Sequence, residues 1–177
     1  TLNFETAGPI ATGIFINEVD SDQAGNDATE FIELYDGGVG NTDLSGLVVV
    51  LYNGNGDLSY NAIDLDGQTT DGDGFFVIGS ATVPNVDLEI FTTAGIQNGA
   101  DAVALYVGDA TDFPSSTPVT AVNLIDAIVY DTNDGDDTDL IGTLTPGQPQ
   151  INEGANGGQS LESISRSPDG GTQLVTG

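Results

Sequence analysis

The sequence predicts an all-β fold, a sandwich of about nine to ten strands, and three observations carry that prediction. Helix signals are scarce. Val, Ile, Thr, Tyr and Phe recur in runs of five to nine residues, divided by Gly, Asn and Asp. The runs follow one another at roughly ten-residue spacing, without the helical stretches that separate the strands of α/β proteins.

Taken in order, residues 2–6 form a weak leading strand around Leu2 and Phe4. Residues 13–19 carry Ile14, Ile16 and Val19, and residues 29–35 set Phe31 on one face and Ile32 with Leu34 on the other. Residues 46–53 are apolar at almost every position, which reads as a strand buried on both faces. Residues 58–65 alternate around Leu58, Tyr60, Ala62 and Ile63; residues 74–79 form a short central strand. Its Phe75 and Phe76 lie on opposite faces and are both expected in the core. Residues 86–91, 101–107 and 122–130 follow, the last two centred on Val103, Leu105, Ile128 and Val129. Residues 160–166 are a polar last strand. Turns fall at Asp36-Gly37-Gly38, Asn53-Gly54-Asn55-Gly56, Asp66-Gly67 and Asp71-Gly72-Asp73-Gly74. The stretch 143–159, rich in Pro, Gly, Asn and Gln, reads as a long surface loop.

Charge narrows the function classes. The chain has 28 acids against one cation, Arg166, a net charge of −27. Only seven of the acids are Glu; the Asp excess places the charge in turns rather than on helix faces. Such a surface does not bind nucleic acid or anionic lipid unaided. It repels itself in dilute buffer and is relieved by salt or divalent cations. Arg166 is expected to pair with a carboxylate and lock the last strand. There is no run of 18 apolar residues to span a membrane. The absence of Met implies cutting from a precursor or a larger polypeptide, and with it an extracellular or cell-surface location.

His, Cys and Lys are all absent, which removes the Ser-His-Asp triad, the Cys nucleophile, the ordinary zinc site and the Schiff base. A carboxylate pair, as in glycosidases, is the one catalytic chemistry left. The expectation is therefore a non-enzyme.

Three acidic clusters are candidate calcium sites, since calcium takes six to eight oxygens from carboxylates and carbonyls. The first is Glu18, Asp20, Asp22, Asp27 and Glu30, around a predicted strand end and the loop after it. The second is Asp64, Asp66, Asp71 and Asp73, interleaved with glycines. The third is Asp131, Asn133, Asp134, Asp136, Asp137 and Asp139. This last is not an EF-hand: its Gly falls at the fifth place, and position 142 is Gly where a closing Glu belongs.

The order of motifs resembles the lamin tail domain family. Ile16-Asn17-Glu18 precedes Glu30-Phe31-Ile32-Glu33-Leu34, as that family's "I-N-E" strand precedes its "E-[FW]-I-E-L" strand. Asp43-Leu44-Ser45-Gly46 is similar to its "D-L-S-G" turn, and residues 74–79, 98–106, 124–131 and 159–166 resemble the strands that follow. The match covers about residues 13–168, which divides the chain into an extension, 1–12, and a domain, 13–177. The resemblance implies an immunoglobulin-like β-sandwich with no catalytic residues to carry over. The Asp- and Gly-rich form is similar to the secreted bacterial and archaeal branch, which accompanies extracellular nucleases, phosphoesterases and surface proteins. Unlike nuclear lamin tails, this surface is acidic, which argues against contact with DNA.

Two functions follow as expectations. One is a structural subunit of a filament or surface layer, with calcium between acidic faces and residues 2–6 completing the open sheet edge of a second copy. The other is an accessory or adhesive domain of a larger secreted protein; a carboxylate-based hydrolase comes last.

Overall fold

The computed structural model describes residues 13–177. The expected strand at 2–6 and the extension 1–12 lie outside the described residues. Within them the chain folds as two mixed, mainly antiparallel sheets packed face to face, an all-β sandwich.

Sheet one has the order β11-β10-β1-β2-β5-β6. Its strands are β1 (Phe15–Asp20), β2 (Phe31–Tyr35), β5 (Phe75–Ser80), β6 (Leu88–Phe91), β10 (Ile164–Arg166) and β11 (Leu174–Thr176). Sheet two has the order β4-β3-β7-β8-β9. Its strands are β3 (Leu47–Asn53), β4 (Leu58–Asp64), β7 (Asp101–Val107), β8 (Leu124–Asp131) and β9 (Ile151–Asn152). Each sheet ends in one parallel pair, β5 with β6 and β8 with β9.

Period-two alternation explains the core. Ile32 and Leu34 of β2 are fully buried while Phe31 and Tyr35 are not. Ile16, Val19, Phe76 and Ile78 join them from sheet one, and Ile14 from just before β1. Leu47, Val49, Leu51, Val103, Leu105, Ile128 and Tyr130 meet them from sheet two. The continuous apolar runs of β3 and β7 have a second cause. Their other face, Val48, Val50, Tyr52, Ala102, Ala104 and Tyr106, packs under Phe113, Leu140 and Leu144. A short helix, α1 (Thr138–Leu144), and a segment with a 3-10 turn at Ala110–Asp112 thus form a third layer over sheet two.

Several expectations need correction. The acidic stretch after β8 turns into α1, because Asp137 caps it by accepting from the backbone N–H groups of Asp139 and Leu140. The stretch 143–159 holds the end of α1 and the two-residue strand β9 rather than being a loop throughout. Strand β10 is shorter than 160–166, and it is not the last strand, since β11 pairs with it. Phe76 is core, but Phe75 is half-buried on the outer face, stacked on Tyr35 with ring centroids 4.6 Å apart.

The β2–β3 connection hangs on Asp36, which is 4% exposed. Its carboxylate accepts from the N–H groups of Val39 and Gly40 at 2.8 and 2.9 Å. It also accepts from the hydroxyls of Thr42 and Thr70 at 2.6 and 2.8 Å. Gly74 has φ +98°, and a Cβ there would collide with the Asp36 carboxylate, so the turn needs glycine at that place. Burial alone would raise the Asp36 carboxyl, but its four donors outweigh burial and hold it below the ordinary carboxylate value. Asp36→Asn is expected to cost about 1.5 kcal/mol at pH 7, roughly 3–6 °C in melting midpoint. A depressed carboxyl stabilises only while ionised, so the gap to wild type should close as pH falls through the acid range. Equal melting of the two proteins at pH 7 would refute this.

Candidate functional site

Acidic side chains gather at the two ends of the sandwich. β1 and β8 run the same way, since the Ile16 N–H near the start of β1 donates to the Asp126 carboxylate near the start of β8 at 2.8 Å. At their far ends Ser21 and Glu153 meet, with the Ser21 hydroxyl 2.6 Å from Glu153 Oε2.

That far end carries the first predicted cluster, and its five residues serve different purposes. Glu18 accepts from the hydroxyl of Ser163, and Asp20 accepts from the Gln23 amide. Asp27 holds the loop by accepting from Gln23 N–H at 3.0 Å. Glu30 is fully buried and accepts from Gly95 and Ile96 N–H at 2.6 and 3.0 Å. Asp22 stays partly exposed. Glu153, which no local signal singles out, is fully buried beside them. Burial is the main cause that pushes the carboxyls of Asp20, Glu30 and Glu153 up to about 6, about 7 and about 8. Neighbouring carboxylates add to the rise in each, and the hydrogen bonds they accept oppose it.

The third cluster lies at the same end. Asp131 is buried and anchors its turn, accepting from Asn133 and Asp134 N–H at 2.9 and 3.0 Å and from the Gln150 amide at 2.8 Å. Asp134, Asp136 and Asp137 instead line a cleft of about 450 Å³ with Asp101, Asn53 and Gln97. Burial raises the Asp101 carboxyl, and the charges of Asp134 and Asp137 push it further. Asp139 stays on α1, outside that lining.

The second cluster is divided. β4 ends at Asp64, and β3 and β7 beside it bring the loop after β7 alongside. Asp64 and Asp66 therefore join Asp109, with ligand oxygens all within 4.8 Å of one another. This is the one such carboxylate group among the described residues. The same oxygens also serve the loops: Asp64 accepts from Asp66 N–H, Asp66 from Gly46 N–H and Asp109 from Thr111 N–H. Three partly committed carboxylates suit a hard cation that keeps several waters. Asp71 and Asp73 lie in the turn that leads into β5 of sheet one, beside Glu33, Phe75 and Asp87 around a cleft of about 650 Å³.

Arg166 is placed as expected, paired with a carboxylate. Its Nη2 donates to both oxygens of Asp126 at 2.8 Å, and the two side chains are 10% and 17% exposed. Its Nε and Nη1 donate to the carbonyls of Ile16 and Gly171, each at 2.8 Å. The pair borders a groove of about 550 Å³ between β8, the segment after α1, and β11.

No family model, no curated protein and no solved structure matches this chain. No helix among the described residues is long and apolar enough to cross a membrane.

Proposed function

We propose that the chain is an immunoglobulin-like sandwich of the lamin tail kind, acting as a non-catalytic structural module outside the cell. In this reading it is a subunit of a surface or filamentous assembly, with calcium between its acidic ends. The observation that carries the reading is the placement of charge. Carboxylates crowd the loops at both ends, while the only cation is consumed in a nearly buried pair. Two copies meeting end to end would repel unless cations sat between them. The loop carboxylates mostly hold backbone N–H groups, which supports a scaffold role rather than acid–base chemistry. The stretches behind the lamin tail resemblance fall on β1, β2, β5, β7, β8, β10 and the loop into β3, supporting that kinship.

Light scattering during a calcium titration tests the proposal. Large particles that a chelator disperses are the expected result. A monomer at every calcium and sodium chloride concentration would overturn it, in favour of an accessory domain of a larger secreted protein.

A further inference from the structure

Among the described residues one sheet edge is left open where a strand would fit. β8 pairs with β7 from Leu124 to Tyr130 on one side. On its other side only Tyr130 and Asp131 are paired, with β9. Among the described residues no strand pairs with Leu124–Val129 on that side. The apolar part of the 550 Å³ groove runs along this edge, with Leu124, Ile125, Ile151 and Leu174 in its lining.

Folded proteins blunt such edges with Lys, Pro, bulges or a covering segment. The Leu124–Val129 run has no Lys and no Pro, and its one acid, Asp126, is turned to Arg166 and Ile16 N–H. β8 carries a bulge between Leu124 and Asp126 at the start of this edge, but beyond it the stretch to Val129 has neither Lys nor Pro and is suited to accepting an added strand.

We propose that this groove accepts residues 2–6 of a second copy of the chain as an extra strand beside β8. The proposal rests on the assembly reading above and names its contact. Charge favours this donor: residues 1–12 hold one acid, Glu5, of the 28 in the chain. They are thus a stretch that can approach an acidic neighbour with little repulsion, at the groove that holds its only cation. Pattern agrees. In a strand, Leu2, Phe4 and Thr6 share one face and Asn3 and Glu5 the other, so one face can fill the apolar groove while the other meets water. Length agrees as well. Five residues cover about 17 Å of edge, and residues 7–12 leave up to about 20 Å of link to the donor's own β1. Donor and acceptor are different surfaces, so the contact is head-to-tail and propagates as an open chain.

Two full-length variants test it. Phe4→Glu spoils the donor and leaves the groove intact. Thr172→Trp fills the groove from an exposed position and leaves the donor intact. Molar mass is read by light scattering on a sizing column in calcium, with melting curves to show that both variants are folded. Wild type should give long oligomers, each variant alone a monomer, and their mixture a dimer, because only one donor–acceptor contact can form. If Thr172→Trp alone still polymerises, the groove is not the acceptor; if Phe4→Glu alone does, residues 2–6 are not the donor. In either case the assembly reading stands while this contact falls. If wild type itself stays monomeric, both fall. Monomers throughout, with both variants melting below wild type, would assign the groove to residues 2–6 of the same chain and overturn the exchange.

Discussion

Arg166→Leu should lower stability by about 3 kcal/mol, roughly 6–12 °C in melting midpoint for a chain of this size. Burial pushes the Asp126 carboxyl up, while the Arg166 charge and hydrogen bond and the Ile16 N–H oppose that rise. Removing the guanidinium leaves a carboxylate that is 17% exposed without its cation, which is the costly way to break such a pair. It also frees the carbonyls of Ile16 and Gly171, so β1, β8 and the turn after β10 lose a shared tie. Three readings separate this from a surface ion pair. The loss should survive 1 M salt, where the screening length is about 3 Å. It should narrow in acid, as the stranded Asp126 takes up a proton. It should also shrink in Arg166→Leu with Asp126→Asn, because the amide oxygen still accepts from Ile16 N–H while the uncompensated charge is gone. A loss below about 1 kcal/mol, or one abolished by salt, would sink the argument.

The pairing of Arg166 could be read in the sequence because a lone cation among so many acids has partners everywhere; which acid it takes could not. Asp126 is 40 residues away and is brought close by the pairing of β10 with β1 and the packing of β1 against β8. The same distinction runs through the fold. Strands β2, β3, β7 and β8 were legible because their side chains obey period-two or doubly buried patterns, which depend on local sequence. Helix α1 was not: it has seven residues, a Gly among them, and begins inside a run of acids that reads as loop. The short strands β9 and β11 owe their existence to the neighbours they pair with. For the carboxylates, Asp beside Gly correctly marked turns. Convergence depended on sheet order, which parted Asp64 and Asp66 from Asp71 and Asp73 and joined them to Asp109. The burial of Glu30 and Glu153 runs against the strong tendency of Glu to face water, and no local signal announced it.

Those buried carboxyls make stability fall on the alkaline side. Glu153 is raised from 4.5 to about 8, Glu30 from 4.5 to about 7 and Asp20 from 3.8 to about 6, burial being the first cause in each. A raised carboxyl means that the folded state holds its proton more tightly than the unfolded state does. Stability is therefore fullest below the unfolded value and is lost as pH rises through the folded one. Exposed carboxylates are ionised by about pH 6, so their mutual repulsion is already complete there. The melting midpoint should then keep dropping between pH 6 and pH 8.5 as Glu30 and Glu153 ionise. Glu153→Gln mimics the protonated form and keeps an oxygen for Ser21 N–H and an amide for the Ser21 hydroxyl. It should be neutral at pH 5 and stabilising by about 2 kcal/mol at pH 8.5, roughly 4–8 °C. That is well under the ceiling of about 1.4 kcal/mol per tenfold change in proton affinity, because Asp20 and Asp22 partly face solvent, which weakens their push. A flat wild-type midpoint from pH 6 to 8.5, or a Gln variant no more stable at pH 8.5 than at pH 5, would mean that water reaches Glu153 and that its carboxylate sits there without strain.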